Sequence, residues 1–266
     1  MWSPASETAT RVLDRMRRLA TWRRAVGLLR DFRYEQSDPA RFYGALARDT
    51  ATMVDAVVGI DGAVVLDVGG GPGYFADAFA ERGAHYLAVD PDAGELRAAG
   101  LAHRTTVRAS GEALPFADGS VDVCLSSNVV EHTPRPWEMA DEMIRVTRPG
   151  GTVILSYTLW WGPFGGHEMG LSHYLGGHRA AARYTRRHGH PPKNLYGESL
   201  FAVTAAQGLA WGRSARGARL VGAFPRYVPR ALWWVLRVPG LREVAATNLV
   251  MVLEVCPGAG KGGGPG

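Results

Sequence analysis

Apolar residues near the beginning of the chain recur at every third or fourth position. This spacing runs from residue 7 to about residue 29 and predicts one amphipathic helix, with arginines on its other face. A second helical pattern covers residues 40–58. Together the two patterns predict a helical cap over residues 1–60.

After Gly59, short apolar runs alternate with helical patterns. The predicted strands are residues 64–68, 86–89, 106–109, 121–126 and 152–157. The predicted helices are residues 74–82, 93–99 and 134–146, the last one capped by Thr133 and beginning with Pro134. Strands that are apolar on both faces are typical of a parallel sheet covered by helices on each side. Residues 61–157 are therefore predicted to form an α/β core.

The alternation stops in residues 159–196, where glycine, histidine, proline and aromatic residues are concentrated. This composition predicts a long ordered loop or lid, which we assign to residues 158–197. Regular patterns return in residues 198–256, with a predicted helix at 198–207, a strand near 219–223, a Trp-rich helix from Pro229 and a final strand at 249–255. The Gly- and Pro-rich residues 257–266 predict a disordered tail.

The bulk composition agrees with one globular α/β domain. The 266 residues are 46% hydrophobic and 21% charged, which is ordinary for such a protein. The net charge of +5 comes from scattered arginines and not from a basic stripe, so a nucleic-acid partner is not expected. Cys124 and Cys256 form neither a disulfide framework nor a metal-ligand set. Without a signal-peptide or membrane-span pattern, a soluble cytoplasmic protein is expected.

A glycine-rich turn follows the first predicted strand. Residues 69–73 read G-G-G-P-G and lead into a helical pattern at Tyr74. Glycines let the backbone turn sharply and approach a ligand, and the N-terminus of the next helix offers N–H donors. Because residues 71–76 also satisfy the G-x-G-x-x-A variant of a dinucleotide site, an NAD(P)-dependent oxidoreductase is one interpretation of this turn.

Two aspartates near the turn help to choose the ligand. Asp90 ends the second predicted strand, where a carboxylate can accept hydrogen bonds from two ribose hydroxyls. That position suits NAD and methyl donors alike. Asp67 lies just before the glycines, where a carboxylate repels a diphosphate and attracts the ammonium and sulfonium groups of S-adenosylmethionine, directly or by holding the loop amides. Asp67 therefore favours S-adenosylmethionine over a dinucleotide.

Five motifs follow one another between residues 60 and 157. They are V-V-L-D-V-G-G-G-P-G (64–73), A-V-D-P (88–91), G-E-A-L-P-F (111–116), D-G-S-V-D with S-S-N-V-V-E-H (118–122 and 126–132), and R-P-G-G (148–151). In this order they resemble the class I S-adenosylmethionine-dependent methyltransferases, especially the small-molecule group related to ubiquinone-biosynthesis methyltransferases. The two ends of the chain resemble those of uncharacterised actinobacterial members.

The resemblance implies both a fold and a cofactor site. The implied fold is a Rossmann-like sheet of seven mostly parallel strands with helices on both faces, the last strand being antiparallel. Ser110 stands where the family often has an aspartate that binds the adenine amino group. The residues implied to bind S-adenosylmethionine are Asp67, Gly69, Gly71, Gly73, Asp90, Pro91, Ser110, Gly111, Glu112, Asn128 and Val129.

Two histidines are candidates for activating the methyl acceptor. His132 follows the loop that the resemblance sets beside the methyl group, and His167 lies in the lid segment. Either could act as a general base on a hydroxyl, or could instead pack or lie on the surface. The remaining lid histidines have no helical i, i+4 spacing with a third ligand, so no metal site is expected. The aromatic residues that could wall the acceptor side, or could instead fill the base of the lid, are Trp160, Trp161, Phe164, Tyr174 and Tyr184.

The predicted reaction is methylation of a small molecule, with oxygen of a secondary metabolite, glycoside or lipid-linked acceptor as the expected target. The loop at residues 128–131 reads N-V-V-E and not N-P-P-Y, which disfavours methylation of a flipped nucleobase. Trp233 and Trp234 could touch a membrane surface, but packing of the C-terminal helix is the expected role. A non-catalytic module that keeps the cofactor pocket is a further alternative, and no oligomeric state is predicted.

Overall fold

The computed structural model describes residues 7–32, 34, 38–71, 73–92 and 106–257. Its α-helices are α1 (Glu7–Leu19), α2 (Trp22–Phe32), α3 (Pro39–Val58), α4 (Ala76–Ala80), α5 (Pro136–Val146), α6 (Gly177–His188), α7 (Ala205–Ser214) and α8 (Leu241–Ala245). Its strands are β1 (Val64–Val68), β2 (His85–Asp90), β3 (Thr106–Arg108), β4 (Val121–Ser127), β5 (Thr147–Thr158), β6 (Ala218–Pro225) and β7 (Asn248–Val255). Short 3₁₀ helices are η1 (Val130–His132), η2 (His167–Leu175) and η3 (Arg230–Arg237). The predicted helix at 93–99 and the predicted tail beyond Pro257 lie outside the described residues.

The strands of the described residues form one seven-stranded sheet in the order β3-β2-β1-β4-β5-β7-β6. Neighbouring strands from β3 to β5 are parallel, whereas β7 is antiparallel to both β5 and β6. The predicted Rossmann-like sheet with an antiparallel last strand is therefore confirmed. Because β1 connects to β2 on one side and β4 lies on its other side, the topological switch point falls between β1 and β4.

Helices cover both faces of the sheet, and the side chains of β1 pack into a hydrophobic core on each face. Val65 packs with α1, α3 and α4 on one face. Leu66 packs with α5 and α7 on the other. Successive side chains of a strand point to opposite faces, so a strand buried on both sides is mostly apolar, as β1 is except for Asp67. This is the physical reason why the apolar runs of the sequence located the strands well.

The N-terminal helical pattern is interrupted, and the prediction of a single helix over residues 7–29 was wrong. The backbone leaves the helix after α1, and the Thr21 hydroxyl oxygen accepts a hydrogen bond from the Arg24 N–H at 3.2 Å. This contact caps the start of α2. A threonine in a helical pattern can stay within the helix or cap a new one, and here Thr21 caps α2.

Two predicted helix starts were also wrong. The helix expected to begin at Pro134 begins at Pro136, and the Thr133 hydroxyl donates instead to the Val129 carbonyl at 3.1 Å. The helix expected at 198–207 begins at Ala205, where Thr204 and Gln207 form a reciprocal capping box. The T-x-x-Q signal of that box is visible in the sequence and marks the true start.

Regular structure is also present in the segment predicted as a lid. Residues 159–196 contain η2 and the twelve-residue α6, so the segment predicted to be a long ordered loop or lid includes helices that were not predicted. The predicted helix at 74–82 is reduced to α4, and the Trp-rich helix from Pro229 is the 3₁₀ helix η3 followed by α8. No helix in the described part of the chain is long and apolar enough to cross a membrane.

Candidate functional site

The carboxyl ends of the parallel strands surround a cavity of about 930 Å³. Asp67 and the glycine turn line it after β1, Asp90 lines it at the end of β2, and Asn128 lines it after β4. The helical cap and the segment around η2 supply the other walls. Ligands of open α/β sheets bind in this place, because the loops diverge at the switch point and leave a crevice.

The glycine turn has a backbone that other residues would strain. Gly69, Gly71 and Gly73 have φ angles of 79°, 52° and 78°. A Cβ at Gly69 would lie 2.4 Å from Cγ2 of Val129, so a side chain there would displace that residue. A Cβ at Gly71 would meet nothing within 4 Å, and Gly71 lines the cavity. The turn is therefore an open cradle backed by Val129. Gly73 is outside the described lining.

The carboxylate of Asp90 joins β2 to the glycine turn. Its Oδ2 accepts a hydrogen bond from the Gly71 N–H at 3.0 Å, and its Oδ1 accepts one from the Asp92 N–H at 2.8 Å. Pro91 lies beside it in the cavity wall. The side chain is thus held by backbone donors at the cavity, in the position where the sequence analysis expects a ribose ligand.

Asp67 is a buried carboxyl that reaches the same cavity. It is 1% exposed, and the Tyr86 hydroxyl donates to its Oδ2 at 2.6 Å. Burial raises the pKa of Asp67 to about 7, against the opposing effect of the Tyr86 hydrogen bond and with a smaller contribution from the charge of Asp90. The N–H groups of Gly69 and Gly70 donate to the Val89 carbonyl, so the expectation that Asp67 holds the loop amides has no support in the described contacts.

The residues expected on the adenine side are outside the described lining of the cavity. Ser110 Oγ accepts a hydrogen bond from the Glu112 N–H at 3.2 Å, and the Glu112 carboxylate pairs with Arg135. A Cβ at Gly111 would lie 2.8 Å from Cγ1 of Val68, which explains the absence of a side chain there. Contact of these three residues with a cofactor stays a prediction.

Backbone strain is concentrated at the cavity. Among the described residues, the non-glycine residues with positive φ are Asn128 (59°), His167 (46°) and Thr247 (56°), and all three line the cavity. Such conformations cost about 1–3 kcal/mol each and are frequent at functional sites. The Asn128 N–H donates to the Ser156 carbonyl at 2.7 Å, and its Oδ1 accepts from Asn248 Nδ2 at 2.8 Å. No local sequence signal pointed to Thr247 or Asn248.

The fold brings His132 and His167 together, although they are distant in sequence. Their ring centroids are 4.9 Å apart, and both line the cavity. Burial lowers the pKa of His167, while the negative charge of Glu131 acts in the opposite direction. Glu131 itself is 1% exposed and lies next to both rings. Glu131 lies within the motif at residues 126–132, but it was not predicted as a site residue.

The apolar residues that line the cavity come mainly from the helical cap, whereas aromatic residues of the lid segment were expected there. Of the five aromatic residues expected to wall the acceptor side, Phe164 alone belongs to the described lining. Trp160 packs against Tyr196 in a separate small core, and Trp161 stacks on Tyr174. The apolar lining residues of the helical cap are Leu28, Leu29, Phe42, Tyr43, Ala45 and Leu46.

A buried ion-pair network holds that cap against the sheet. Arg226, whose side chain is 0% exposed, donates to Thr50 Oγ1 at 2.6 Å, Ser127 Oγ at 3.0 Å and Asp49 Oδ2 at 3.2 Å. Arg24 binds the same carboxylate through two hydrogen bonds of 2.6 and 2.8 Å. Burial acts to raise the pKa of Asp49, but the two guanidinium groups outweigh it and hold that pKa below its usual value. The sequence analysis missed this network.

Comparisons with known proteins agree with the geometry. A family model described as a methyltransferase domain matches residues 66–155. Proteins named "uncharacterized methyltransferase" are 62% identical in Mycobacterium marinum, over 91% of this chain and 98% of that protein, and 64% identical in Mycolicibacterium gilvum, over 88% and 95%.

Solved structures at lower identity share the fold. A methyltransferase from Haloferax volcanii, in complex with its activator, superposes with a TM-score of 0.52 at 17% identity, over 84% of this chain and 96% of that one. A Burkholderia thailandensis 1,6-didemethyltoxoflavin-N1-methyltransferase, with S-adenosylhomocysteine bound, gives 0.51 at 18% identity over 87% and 89%. With the high identity to the mycobacterial proteins over nearly their full length, the chain belongs to this family of methyltransferases.

Proposed function

We propose that the protein transfers the methyl group of S-adenosylmethionine to a small-molecule acceptor, with a hydroxyl oxygen as the target atom. The observation that carries the proposal is one cavity lined both by the glycine turn with its two aspartates and by His132 and His167. Its volume of about 930 Å³ is near the upper end of the range of about 300–1,000 Å³ for ligand pockets, which suits a donor and an acceptor side by side.

S-adenosylmethionine supplies an electrophilic methyl group on a sulfonium, and the described residues fit its other groups. The open cradle at Gly69 and Gly71 admits the amino-acid end, with the Asp67 carboxyl facing its ammonium. Asp90, at the end of β2, accepts hydrogen bonds from the ribose hydroxyls. Ser110, Gly111 and Glu112 serve the adenine side, and Asn128 and Val129 lie beside the methyl group.

Charge argues against a dinucleotide in the same place. A diphosphate at the turn would face the carboxyl groups of Asp67 and Asp90, and in a buried site such repulsion is weakly screened. Membership of the methyltransferase family points in the same direction. The Burkholderia thailandensis structure with S-adenosylhomocysteine also contains 1,6-didemethyltoxoflavin, and a small-molecule acceptor for the present protein accords with that.

On the acceptor side, His132 and His167 contact the substrate and activate its hydroxyl. The oxygen attacks the methyl carbon in line with the carbon–sulfur bond, whose electrons remain on sulfur. The neutral His167 ring accepts the proton that the hydroxyl loses. Positioning by the cap and the cavity walls supplies the rest of the rate enhancement, because the donor is intrinsically reactive.

Calorimetry with the purified full chain tests the proposal. We expect S-adenosylmethionine and S-adenosylhomocysteine to bind with 1:1 stoichiometry, and NADH not to bind. Transfer of a labelled methyl group to a panel of hydroxylated small molecules then separates an enzyme from a non-catalytic binding module. Tight NADH binding without any affinity for S-adenosylhomocysteine would overturn the proposal.

A further inference from the structure

Three potential metal ligands converge on the cavity wall. One ligand atom each of Glu131, His132 and His167 lies within 4.8 Å of the others. The two histidines line the cavity, and Glu131 lies behind them, 1% exposed. The set combines η1 with the first residue of η2, so no spacing rule within one helix would have found it.

Two of these groups have buried polar atoms without a partner. In the described part of the chain, Glu131 Oε2 and His167 Nε2 are inaccessible to solvent and make no hydrogen bond. Buried polar atoms are nearly always satisfied, and an exception has a cause such as a bound ion. His167 is in addition held at a φ of 46°, a strained backbone conformation of the kind found at functional sites.

Neighbouring groups orient the ligand atoms as a metal site requires. His132 Nδ1 lies 2.7 Å from the Ser199 carbonyl oxygen, to which it donates, so its Nε2 keeps a lone pair. Glu131 Oε1 accepts from the Thr158 N–H at 2.9 Å, which leaves Oε2 for another partner. Metal-binding histidines typically donate their second nitrogen to a carbonyl or carboxylate in this way.

We propose that Glu131, His132 and His167 bind a divalent transition-metal ion of the zinc type, with an open coordination position that faces the cavity. Two imidazoles and one carboxylate with an open position are a known catalytic zinc set, and they contain no soft sulfur ligand. Ligands of a tetrahedral zinc with bonds of about 2.1 Å are about 3.4 Å apart. The ligand atoms of Glu131, His132 and His167, all within 4.8 Å of one another, therefore lie close to the spacing that such an ion needs.

This inference rests on the proposed function and specifies how the acceptor is activated. An ion in this position coordinates the acceptor oxygen and lowers the pKa of its hydroxyl, so that the proton passes to bulk water. The oxygen then forms its bond to the methyl carbon while the carbon–sulfur bond breaks. Histidines that coordinate the ion cannot also accept the proton, so with the ion bound they act as metal ligands and water takes the proton.

The test measures metal binding directly. The full chain is freed of metal with a chelator and titrated with Zn²⁺ by calorimetry and with Co²⁺ by visible absorption, which reports its coordination. We expect one ion per chain with low coordination number. Loss of an outer hydrogen-bonding partner of a ligand weakens metal binding by about 10–100-fold, so Glu131→Gln and His132→Gln should weaken it by more than about 100-fold.

His188→Gln is the matched control, because His188 is exposed and lies against His190 on the surface, where adventitious metal binding is most expected. Unchanged Zn²⁺ affinity in this variant supports the proposal. Equal affinity in wild type and Glu131→Gln, or loss of binding in His188→Gln, means an adventitious ion only and overturns it.

Binding of S-adenosylhomocysteine separates this inference from the proposed function. Glu131→Gln preserves the volume of the side chain and its contact with Thr158, so we expect it to fold and to bind S-adenosylhomocysteine as the wild type does. If the ligand binds but wild-type Zn²⁺ binding is absent, the metal site fails alone. If no variant and no wild-type protein binds S-adenosylhomocysteine, the proposed function fails.

Discussion

Replacement of Asp67 by asparagine should stabilise the protein without ligand above neutral pH. Asparagine retains an acceptor for the Tyr86 hydroxyl but cannot ionise. Burial raises the pKa of Asp67 from its ordinary 3.8 to about 7, so the folded protein holds this proton more tightly than the unfolded chain does. The contribution of this group to the free energy of unfolding is therefore fully present below pH 3.8, and it is lost as the pH rises from there through 7.

The size of the effect follows from the two pKa values. One pKa unit corresponds to about 1.4 kcal/mol, so ionised Asp67 costs the folded protein roughly 4 kcal/mol, of which roughly 3 kcal/mol develops between pH 5 and pH 8. Chemical denaturation at these two pH values gives the free energy of unfolding. The free energy of unfolding of Asp67→Asn minus that of wild type should be roughly 3 kcal/mol larger at pH 8 than at pH 5. Asp14→Asn, on the exposed face of α1, is the control, and its difference from wild type in free energy of unfolding should be the same at both pH values.

The same carboxyl should link cofactor binding to proton release. A cationic ligand end lowers the pKa of Asp67, so S-adenosylmethionine should bind about tenfold more weakly at pH 6 than at pH 8, where Asp67 is already ionised. Calorimetry in two buffers of different ionisation enthalpy counts the protons released at pH 7. Asp67→Asn should bind the cofactor more weakly, by about 10–100-fold, and should release fewer protons. A variant that binds as tightly as wild type, with the same proton release, refutes the reasoning.

Three further substitutions test other parts of the site. Asp90→Ala should weaken S-adenosylhomocysteine binding by about 1.5–3 kcal/mol for each charged hydrogen bond lost, and unchanged affinity in calorimetry contradicts the ribose assignment. Gly69→Ala introduces a Cβ that meets Val129 and a strained φ, so its melting temperature and its cofactor affinity should both fall; wild-type values for both would show that the turn tolerates a side chain. Arg226→Met leaves Asp49 buried with one cation fewer and should cost about 3–5 kcal/mol in chemical denaturation, and a loss below 1 kcal/mol would refute the importance of the network.

The strands and the glycine turn could be predicted from the sequence because their causes are local. Apart from Asp67, the run at β1 is apolar because both of its faces are covered, and its predicted bounds match the observed ones. The turn at Gly69 needs positive φ, a requirement that glycine meets best. The parallel sheet with an antiparallel last strand followed from the family resemblance and the alternation of strands with helices, whereas the strand order was not predicted.

The start of a helix depends on which hydrogen bond a local side chain makes, and the periodic pattern of apolar residues does not indicate this. Thr21 and Thr204 both cap helices, whereas Thr133 lies in an equally suitable context and donates to a carbonyl instead. The helix α6 carries mostly polar and charged residues, so its apolar stripe is narrow. The helical periodicity was therefore weak in the sequence, and α6 was not predicted.

Convergence of distant residues was decided only by the tertiary structure. The sequence by itself predicted a methyl-donor site around Asp67 and Asp90, because strand ends and a glycine turn carry their chemistry in consecutive residues. The partnership of Glu131 with His167, the buried Arg226 and the raised pKa of Asp67 required the fold. Burial, charge proximity and unsatisfied polar atoms are properties of the packed chain, and they arise between segments that the sequence separates.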